Sequence, residues 1–375
     1  MAHFLFRHEF RRGFGFWREH LTIEQVKILI VKLGSIGDIV HALPSLAAIR
    51  SALPDAEISW TVERRSAEIL RGNRLIDRLI EVDTRALRSG RIVAEILPRL
   101  REQFRDLRRS KFDIAIDLQG LLKSSAIAKL SGAKTRFGFT RAELREPASS
   151  IFLTHHSGAS GRVNIVRKNL TLVAEALDIL VPQDGFEFPI FTAPEHIREA
   201  DEIVSRAGDR LAVLNPAAGW VTKMWPAENY GRLADALWAE HNLRSVVAVG
   251  PGEAELGEKV LNASRSGEAI AIQPSLKGYF ELLKRASIYV GGDTGPMHLA
   301  VAGGTPIVGI FGPTEWWRNG SPNPADVCVE RTDIGCRVDC HRRKCSNWIC
   351  MDITVETVLA AVGLRLKKAK GSPMG

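Results

Sequence analysis

Residues 26–44, Val26-Lys-Ile-Leu-Ile-Val-Lys-Leu-Gly-Ser-Ile-Gly-Asp-Ile-Val-His-Ala-Leu-Pro44, hold a strand, a glycine turn and a helix start in one stretch. The apolar, β-branched run 26–31 predicts a strand covered on both faces, as in a parallel sheet. Gly34 and Gly37 allow a tight reversal into a helix over 38–51. Ligands of open α/β sheets bind at the carboxyl ends of strands, which is where this turn falls. Asp38 then lies in the first helical turn, where unpaired amides and the positive end of the helix dipole favour a negative charge. Two readings are open for it: a helix cap, a common duty of aspartate, or the base of a reaction. His41, three residues on, shares its helical face and can contact Asp38 or a ligand, with a structural histidine as the alternative.

Outward from this tract the same grammar repeats. Strand-like runs at 26–31, 58–62 and 112–117 alternate with helical stretches at 38–51, 92–109 and 121–131, the βαβ rhythm of a parallel sheet. After a proline-spaced passage from Pro182 to Pro194 the rhythm restarts, with strands at 211–215, 245–250, 269–272, 288–290 and 306–311. The pattern predicts an α/β protein of two doubly wound, Rossmann-like domains facing across a cleft. The expected division is an N-terminal extension over 1–24, one domain over 25–185, and a second over 186–375 that ends in a helix.

A chain of 375 residues exceeds one ordinary core, and 45% hydrophobic with 25% charged residues is the balance of a soluble globular protein. No stretch approaches the roughly 20 apolar residues of a membrane-spanning helix, and the first residues lack the pattern of a signal peptide. A cytoplasmic location is expected. The formal charge of +8 points to acidic partners: nucleic acid, an anionic membrane surface or a phosphorylated substrate. Residues 4–18 interleave five Phe and one Trp with basic residues, resembling an interfacial anchor, with a locally packed tail as the alternative. All five cysteines come late, at 328, 336, 340, 345 and 350. Cys336, Cys340, Cys345 and Cys350 are separated by three, four and four residues, which does not match the paired two-residue spacing of common zinc sites. A reduced or locally crosslinked loop is expected there, with a metal clip as the alternative.

Glycine-rich turns follow several second-half strands: Asn215-Pro-Ala-Ala-Gly219, Gly250-Pro-Gly252 and Gly291-Gly-Asp-Thr-Gly-Pro-Met-His298. Each exposes backbone amides at a strand's carboxyl end, and the last leads into a helix near 297–302 whose N-terminus can hold a phosphate. A nucleotide-diphosphate pocket follows. The turns lack both the Gly-x-x-x-x-Gly-Lys-Ser/Thr loop and the Gly-x-Gly-x-x-Gly fingerprint, which removes the best support for ATP hydrolysis or hydride transfer. Lys223, just before a helix opened by Pro226, can bring a point charge to a phosphate or leaving oxygen, unless it is simply solvated. No Asp-x-Asp triplet is present to hold a divalent ion against a diphosphate, so the protein's own amides and cations are expected to do so, without a metal or other cofactor.

Together these motifs strongly resemble the ADP-heptose:lipopolysaccharide heptosyltransferases, inverting enzymes of the GT-B fold, over about Val26 to Leu359. Gly37-Asp-Ile-Val-His-Ala-Leu-Pro44 is similar to the acceptor-side motif carrying the family's catalytic aspartate, and His41 and Pro44 look closer to the type I branch. Asp113-Ile-Ala-Ile-Asp-Leu-Gln-Gly-Leu-Leu-Lys-Ser124 and Leu144-Arg-Glu-Pro-Ala-Ser149 resemble further amino-domain motifs, while Asn215–Pro226 and Gly292–His298 resemble the donor-site signatures. The resemblance implies Asp38 as general base and Lys223 as its catalytic counterpart at the leaving group. It also implies a donor site of Gly219, Thr222, Lys223, Asp293, Thr294, Gly295 and His298, with Glu255, or in another register Glu253, near the nucleotide ribose. The basic-aromatic extension and the loop at 336–350 depart from the family pattern.

The reaction so implied is heptose transfer from ADP-heptose to a Kdo or heptose hydroxyl of the lipopolysaccharide inner core, at the inner face of the cytoplasmic membrane. Kdo carboxylates and lipid A phosphates then account for the positive charge, with His41, Arg64, Arg136 and Arg145 as acceptor contacts and Arg65 and Arg141 as further candidates. Rival readings are a related transferase or epimerase using another sugar nucleotide, and a non-catalytic membrane- or nucleic-acid-binding protein. The second leaves Asp38, Lys223 and His298 at glycine turns unexplained, so no nucleic-acid partner is expected.

Overall fold

A computed structural model describes residues 25–84, 105–159, 161–338 and 340–370. The extension 1–24 and most of the expected helix 92–109 lie outside the described residues. Strand β1 (Lys27–Val31) pairs in parallel with β2 (Glu57–Glu63) on one side and β4 (Ile114–Asp117) on the other. With β3 (Arg78–Val82), β5 (Thr135–Phe139) and β6 (His155–Ser157) they form a six-stranded parallel sheet of order β3-β2-β1-β4-β5-β6. The second sheet contains β7 (Leu211–Asn215), β8 (Arg244–Ala248), β9 (Ala269–Ile272), β10 (Ile288–Gly292), β11 (Ile307–Phe311) and β12 (Val327–Glu330), in the order β12-β11-β10-β7-β8-β9. It is the same winding, repeated.

Each sheet has one place where the chain reverses its direction of travel across the strands. In the first it lies between β1 and β4, in the second between β7 and β10. Doubly wound sheets open a crevice at such switch points, beyond the carboxyl ends of the strands. The turn after β1 carries Asp38; the turns after β7 and β10 carry Lys223 and Asp293 to Gly295.

Alternate side chains of β1 feed different cores, as strand geometry requires. Leu29 and Val31 pack with Ala115, Phe112 and Ile127. Ile28 and Ile30 join an apolar cluster that also contains Leu211, Val213 and Tyr289 of the second sheet, so one core runs through both lobes. Each fully buried aliphatic side chain of this kind contributes about 2 kcal/mol. Cross-lobe hydrogen bonds reinforce the join: Lys277 Nζ donates to Arg71 O at 2.6 Å, and Asn73 Nδ2 to Pro189 O at 2.8 Å.

Two expectations change in detail. The helix expected over 38–51 is two helices, Ile36–Val40 and Leu43–Ala52. Pro44 has no N–H to return to the Val40 carbonyl, so the first helix ends there. Strands β3, β5, β6 and β12 are additional to those expected: β3 and β5 break their apolar residues with charge or glycine, β6 is three polar residues, β12 is only four residues long, and β3, β6 and β12 are sheet edges. Parallel pairing with a neighbouring strand holds each of them extended.

Candidate active site

Gly34, with φ of +140°, turns the chain out of β1, and a Cβ there would stand 2.8 Å from Ser66 Oγ. The next turn places Asp38 third in its helix, where Oδ2 accepts from Ser35 N at 2.7 Å and Ser35 Oγ at 3.3 Å. The capping duty is therefore real, and it falls on one carboxylate oxygen. Beneath the turn is Lys32, buried, its Nζ donating to Leu118 O at 2.6 Å. Burial lowers the pKa of this amine, against the raising effect of the Asp38 and Asp117 carboxylates. Asp117 is fully buried, accepting from Gln119 N, Gly120 N and Ser124 Oγ, yet desolvation still pushes its pKa up to about 6.

On the opposing lobe the turn after β10 leads into helix Gly295–Ala302, with Thr294 at its N-cap. Asp293 is the hub of this turn. Its Oδ2 accepts from Lys223 Nζ at 2.7 Å and Asn319 Nδ2 at 3.2 Å, and its Oδ1 lies 3.3 Å from His298 Nε2. Burial alone would raise the carboxyl's pKa, but His298 and Lys223 overcome it and hold the group far below the usual carboxylate range. Lys223 Nζ also donates to Asp293 O at 3.1 Å and lies 4.5 Å over the Trp220 ring. It is thus a paired, mostly buried cation and not a solvated loop lysine.

The two turns meet. A Cβ on Gly37 would come within 2.3 Å of His298 Cδ2, and one on Gly295 would lie 3.8 Å from Gly37 N. His41 Nε2 lies 3.1 Å from His298 Nδ1, the rings edge to face. A buried polar chain, Lys223–Asp293–His298–His41, therefore runs from one lobe to the other. His41 O accepts from Asn169 Nδ2 at 3.0 Å.

The remaining candidates separate. Gly219 is exposed with open space about it, and Thr222 is buried, its Oγ1 donating to Arg342 O at 2.7 Å. Glu253 stands at the N-cap of helix Ala254–Ala263, its carboxylate turned back to accept from Gly250 N at 2.7 Å, whereas Glu255 is exposed and pairs with Lys259. Arg64 and Arg65 are exposed just beyond β2, and Arg141 and Arg145 just beyond β5, all on the carboxyl edge shared with Asp38. His41 does not face Asp38 as the shared helical face suggested; Asp38 bonds to Ser35 and the buried imidazole to His298. Arg136 is a correction. It sits at the amino end of β5, and its guanidinium donates to the Phe152, Ala133 and Lys134 carbonyls, so it braces the opposite edge of the sheet. A cavity of about 890 Å³ bordered by Val26, Pro44, Phe137, His155 and Leu180 also lies at that amino edge, away from the acidic turn.

Sequence reasoning missed Lys32, Asn319 and Lys123, which pairs with Glu63 at 3.0 Å beside the same edge. Lys32 carried one signal, a lysine closing an apolar strand directly before the glycine turn. Asn319 carried none, being 26 residues from the carboxylate it contacts.

An acidic turn at one switch point, facing a cation and a helix N-terminus at the other across two doubly wound sheets, defines an enzyme of the GT-B glycosyltransferase class. The chain belongs to glycosyltransferase family 9 (heptosyltransferase), whose model matches residues 100–348. It is 30% identical to lipopolysaccharide heptosyltransferase 1 of Escherichia coli K12 over 292 residues, covering 77% of this chain and 89% of that one. Against lipopolysaccharide heptosyltransferase 1 of Pseudomonas aeruginosa PAO1 the identity is 29% over 323 residues, 82% of this chain and 87% of the other. The solved E. coli heptosyltransferase WaaC with ADP matches with a TM-score of 0.68 at 27% identity, over 81% of this chain and 92% of that one. A family 9 glycosyltransferase from Veillonella parvula shares the fold, with a TM-score of 0.77 at 21% identity, over 93% and 99% of the two chains.

Proposed function

We propose that this enzyme transfers L-glycero-D-manno-heptose from ADP-heptose to a Kdo or heptose hydroxyl of inner-core lipopolysaccharide, with inversion at the anomeric carbon. The observation that carries the reading is the contact between the Gly37–Asp38 turn and the N-terminus of helix Gly295–Ala302, which brings a carboxylate to the edge of a diphosphate cradle. Both Ser35 bonds fall on Asp38 Oδ2, which leaves Oδ1 to take the acceptor hydroxyl proton. As that proton leaves, the acceptor oxygen bonds to the anomeric carbon from the face opposite the diphosphate. The bond from that carbon to the diphosphate oxygen breaks, and its electron pair departs with ADP.

Charge growing on the departing diphosphate meets the amides of Thr294 and Gly295 and the one N–H of Lys223 that Asp293 does not hold. These groups do the work of a divalent ion, so added magnesium is expected to leave the rate unchanged. Arg64 and Arg145, on the carboxyl edge, are the acceptor contacts in this reading, as guanidinium forks match the carboxylates of acidic sugars. The positive charge serves acidic sugars and the anionic inner face of the cytoplasmic membrane, not nucleic acid. The similarity to lipopolysaccharide heptosyltransferase 1 supports both the donor and the acceptor class.

The test is Asp38→Asn, assayed with ADP-heptose and Kdo-lipid A alongside UDP- and GDP-sugars. A positioned base is worth about 10²–10⁴-fold, so turnover falls by that factor while ADP binding, followed by calorimetry, stays within about twofold. Undiminished turnover in the variant removes Asp38 from the role. Preference for another sugar nucleotide overturns the donor.

A further inference from the structure

His41 takes no step in the reaction proposed above, yet it joins the two turns that carry it. Its backbone is fixed in the first lobe: His41 N donates to Gly37 O at 3.0 Å, one residue before Asp38, and His41 O accepts at 3.0 Å from Nδ2 of Asn169, buried on helix Ile165–Leu177. Its ring crosses to the second lobe, where Nε2 lies 3.1 Å from His298 Nδ1. His298 Nε2 in turn lies 3.3 Å from Asp293 Oδ1, and the other oxygen of that carboxylate, Oδ2, holds Lys223 Nζ at 2.7 Å. His41 Nδ1 is buried and has no hydrogen-bond partner among the described residues.

These partners decide where the hydrogens sit. A carboxylate only accepts, so the nitrogen that faces Asp293, His298 Nε2, carries a hydrogen. Burial holds the His41 pKa well below the ordinary histidine value, so near neutral pH its ring is uncharged, with a single N–H to place. Two arrangements satisfy the contact between the rings. If His298 Nδ1 donates, His41 must carry its hydrogen on Nδ1, which leaves a buried N–H with nothing to accept it. If His41 Nε2 donates, the atom left over on His41 Nδ1 is only a lone pair. Orphaned buried N–H groups are the rarer and costlier of the two, so the second arrangement is the one assigned.

We infer that His41 is a positioning residue for the leaving-group cation: its Nε2–H donates to His298 Nδ1, keeps the Nε2–H of that ring on Asp293, and so fixes the Lys223 ammonium relative to the turn that carries Asp38. The inference deepens the reaction proposed above and rests on Lys223 meeting the departing diphosphate. Asp293 is held at both carboxylate oxygens, by His298 at Oδ1 and by Lys223 and Asn319 at Oδ2. Without the bond from His41 the imidazole of His298 loses the partner that orients it, and Oδ1 loses its donor. The carboxylate can then rotate, and the Lys223 N–H left for the diphosphate turns with it. A ligating or catalytic group is commonly aimed in this way by the hydrogen bond made at the far side of an imidazole.

The test compares His41→Leu, which keeps much of the bulk and loses the donor, with His41→Gln, whose amide N–H stands in for Nε2–H. His41→Leu is expected to lower kcat and kcat/KM for the sugar nucleotide together by about 10²-fold, the mark of an interaction realised in the transition state, with KM held within about twofold. His41→Gln recovers most of that loss. Full turnover in His41→Leu, or equal losses in the two variants, makes His41 a packing residue and overturns the inference. Rates are measured on whichever sugar nucleotide the wild-type enzyme turns over, so a wrong donor assignment leaves the comparison intact. A second measurement needs no substrate and no variant that must fold well. Nitrogen NMR of the full-length wild-type protein with isotope-labelled histidine, at about pH 8, is expected to find both rings with hydrogen on Nε2 and a bare Nδ1, their signals identified by their loss in His41→Gln and His298→Gln. A hydrogen on Nδ1 of either ring overturns the inference, whatever the rates.

Discussion

Asp293 shows how one residue can be read correctly in place and incompletely in role. Its turn was legible from Gly291-Gly-Asp-Thr-Gly, but its three side-chain partners come from 5, 26 and 70 residues away. Removing its charge strands the Lys223 ammonium in a mostly buried site. Breaking a buried pair by deleting one partner costs about 3–5 kcal/mol, so Asp293→Asn is expected to lower the urea midpoint strongly. Adding Lys223→Met to that variant recovers part of the loss, because no buried charge is then left alone. A double variant as unstable as the sum of the two single ones would show that the pair is not coupled.

The helix Ile36–Val40 is only five residues long, and it is placed by the parts on either side of it. β1 and the Gly34 turn fix where it begins, Pro44 fixes where it ends, and Gly37 lets it lie against His298. That last contact explains a glycine inside a helix, where its conformational freedom is otherwise a cost. Gly37→Val puts a branched side chain where a single Cβ already meets His298 at 2.3 Å. The two turns must separate, and a displacement on the order of 1 Å at a reacting centre costs about 10²-fold. A loss of that order in kcat/KM, with the circular dichroism spectrum unchanged, is expected. A variant with full activity would mean that contact between the turns is not needed for turnover.

Across the whole molecule, stability is tied to pH through two buried groups of opposite effect, His41 in the polar chain joining the lobes and Asp117 at the end of β4. Burial, followed by the charges of His298 and Lys32, holds the His41 pKa well below the ordinary histidine value; Asp293 opposes this and Arg318 adds to it. The unfolded chain takes up a proton at His41 below about pH 6.5 and the folded one does not, so this group removes stability as pH falls. Asp117 acts the other way. With its pKa raised to about 6, the folded protein keeps a proton that the unfolded chain has already lost above about pH 4, so stability falls as pH rises through that window. Between about pH 4.5 and 6 the two slopes, each at most about 1.4 kcal/mol per pH unit, largely cancel. Urea denaturation of His41→Gln is then expected to show stability falling with rising pH, and Asp117→Asn to show it rising. The same slope in both variants would refute the assignment.

The sequence alone determined the things that depend on near neighbours. The apolar run before Gly34 specified a buried parallel strand, the glycine turns specified exposed amides at strand ends, and the repeated βαβ spacing specified two wound lobes, because each arises from local backbone and side-chain preferences. Only the tertiary structure decided what depends on two distant segments meeting. It turned His41 onto His298, sent the Arg136 guanidinium to backbone carbonyls at the far edge, and recruited Asn319 to Asp293. Side-chain charge and reach can be read from composition, but the partner that satisfies a buried polar atom is fixed only by packing, since the cost of leaving such an atom unpaired is felt only once water has been excluded.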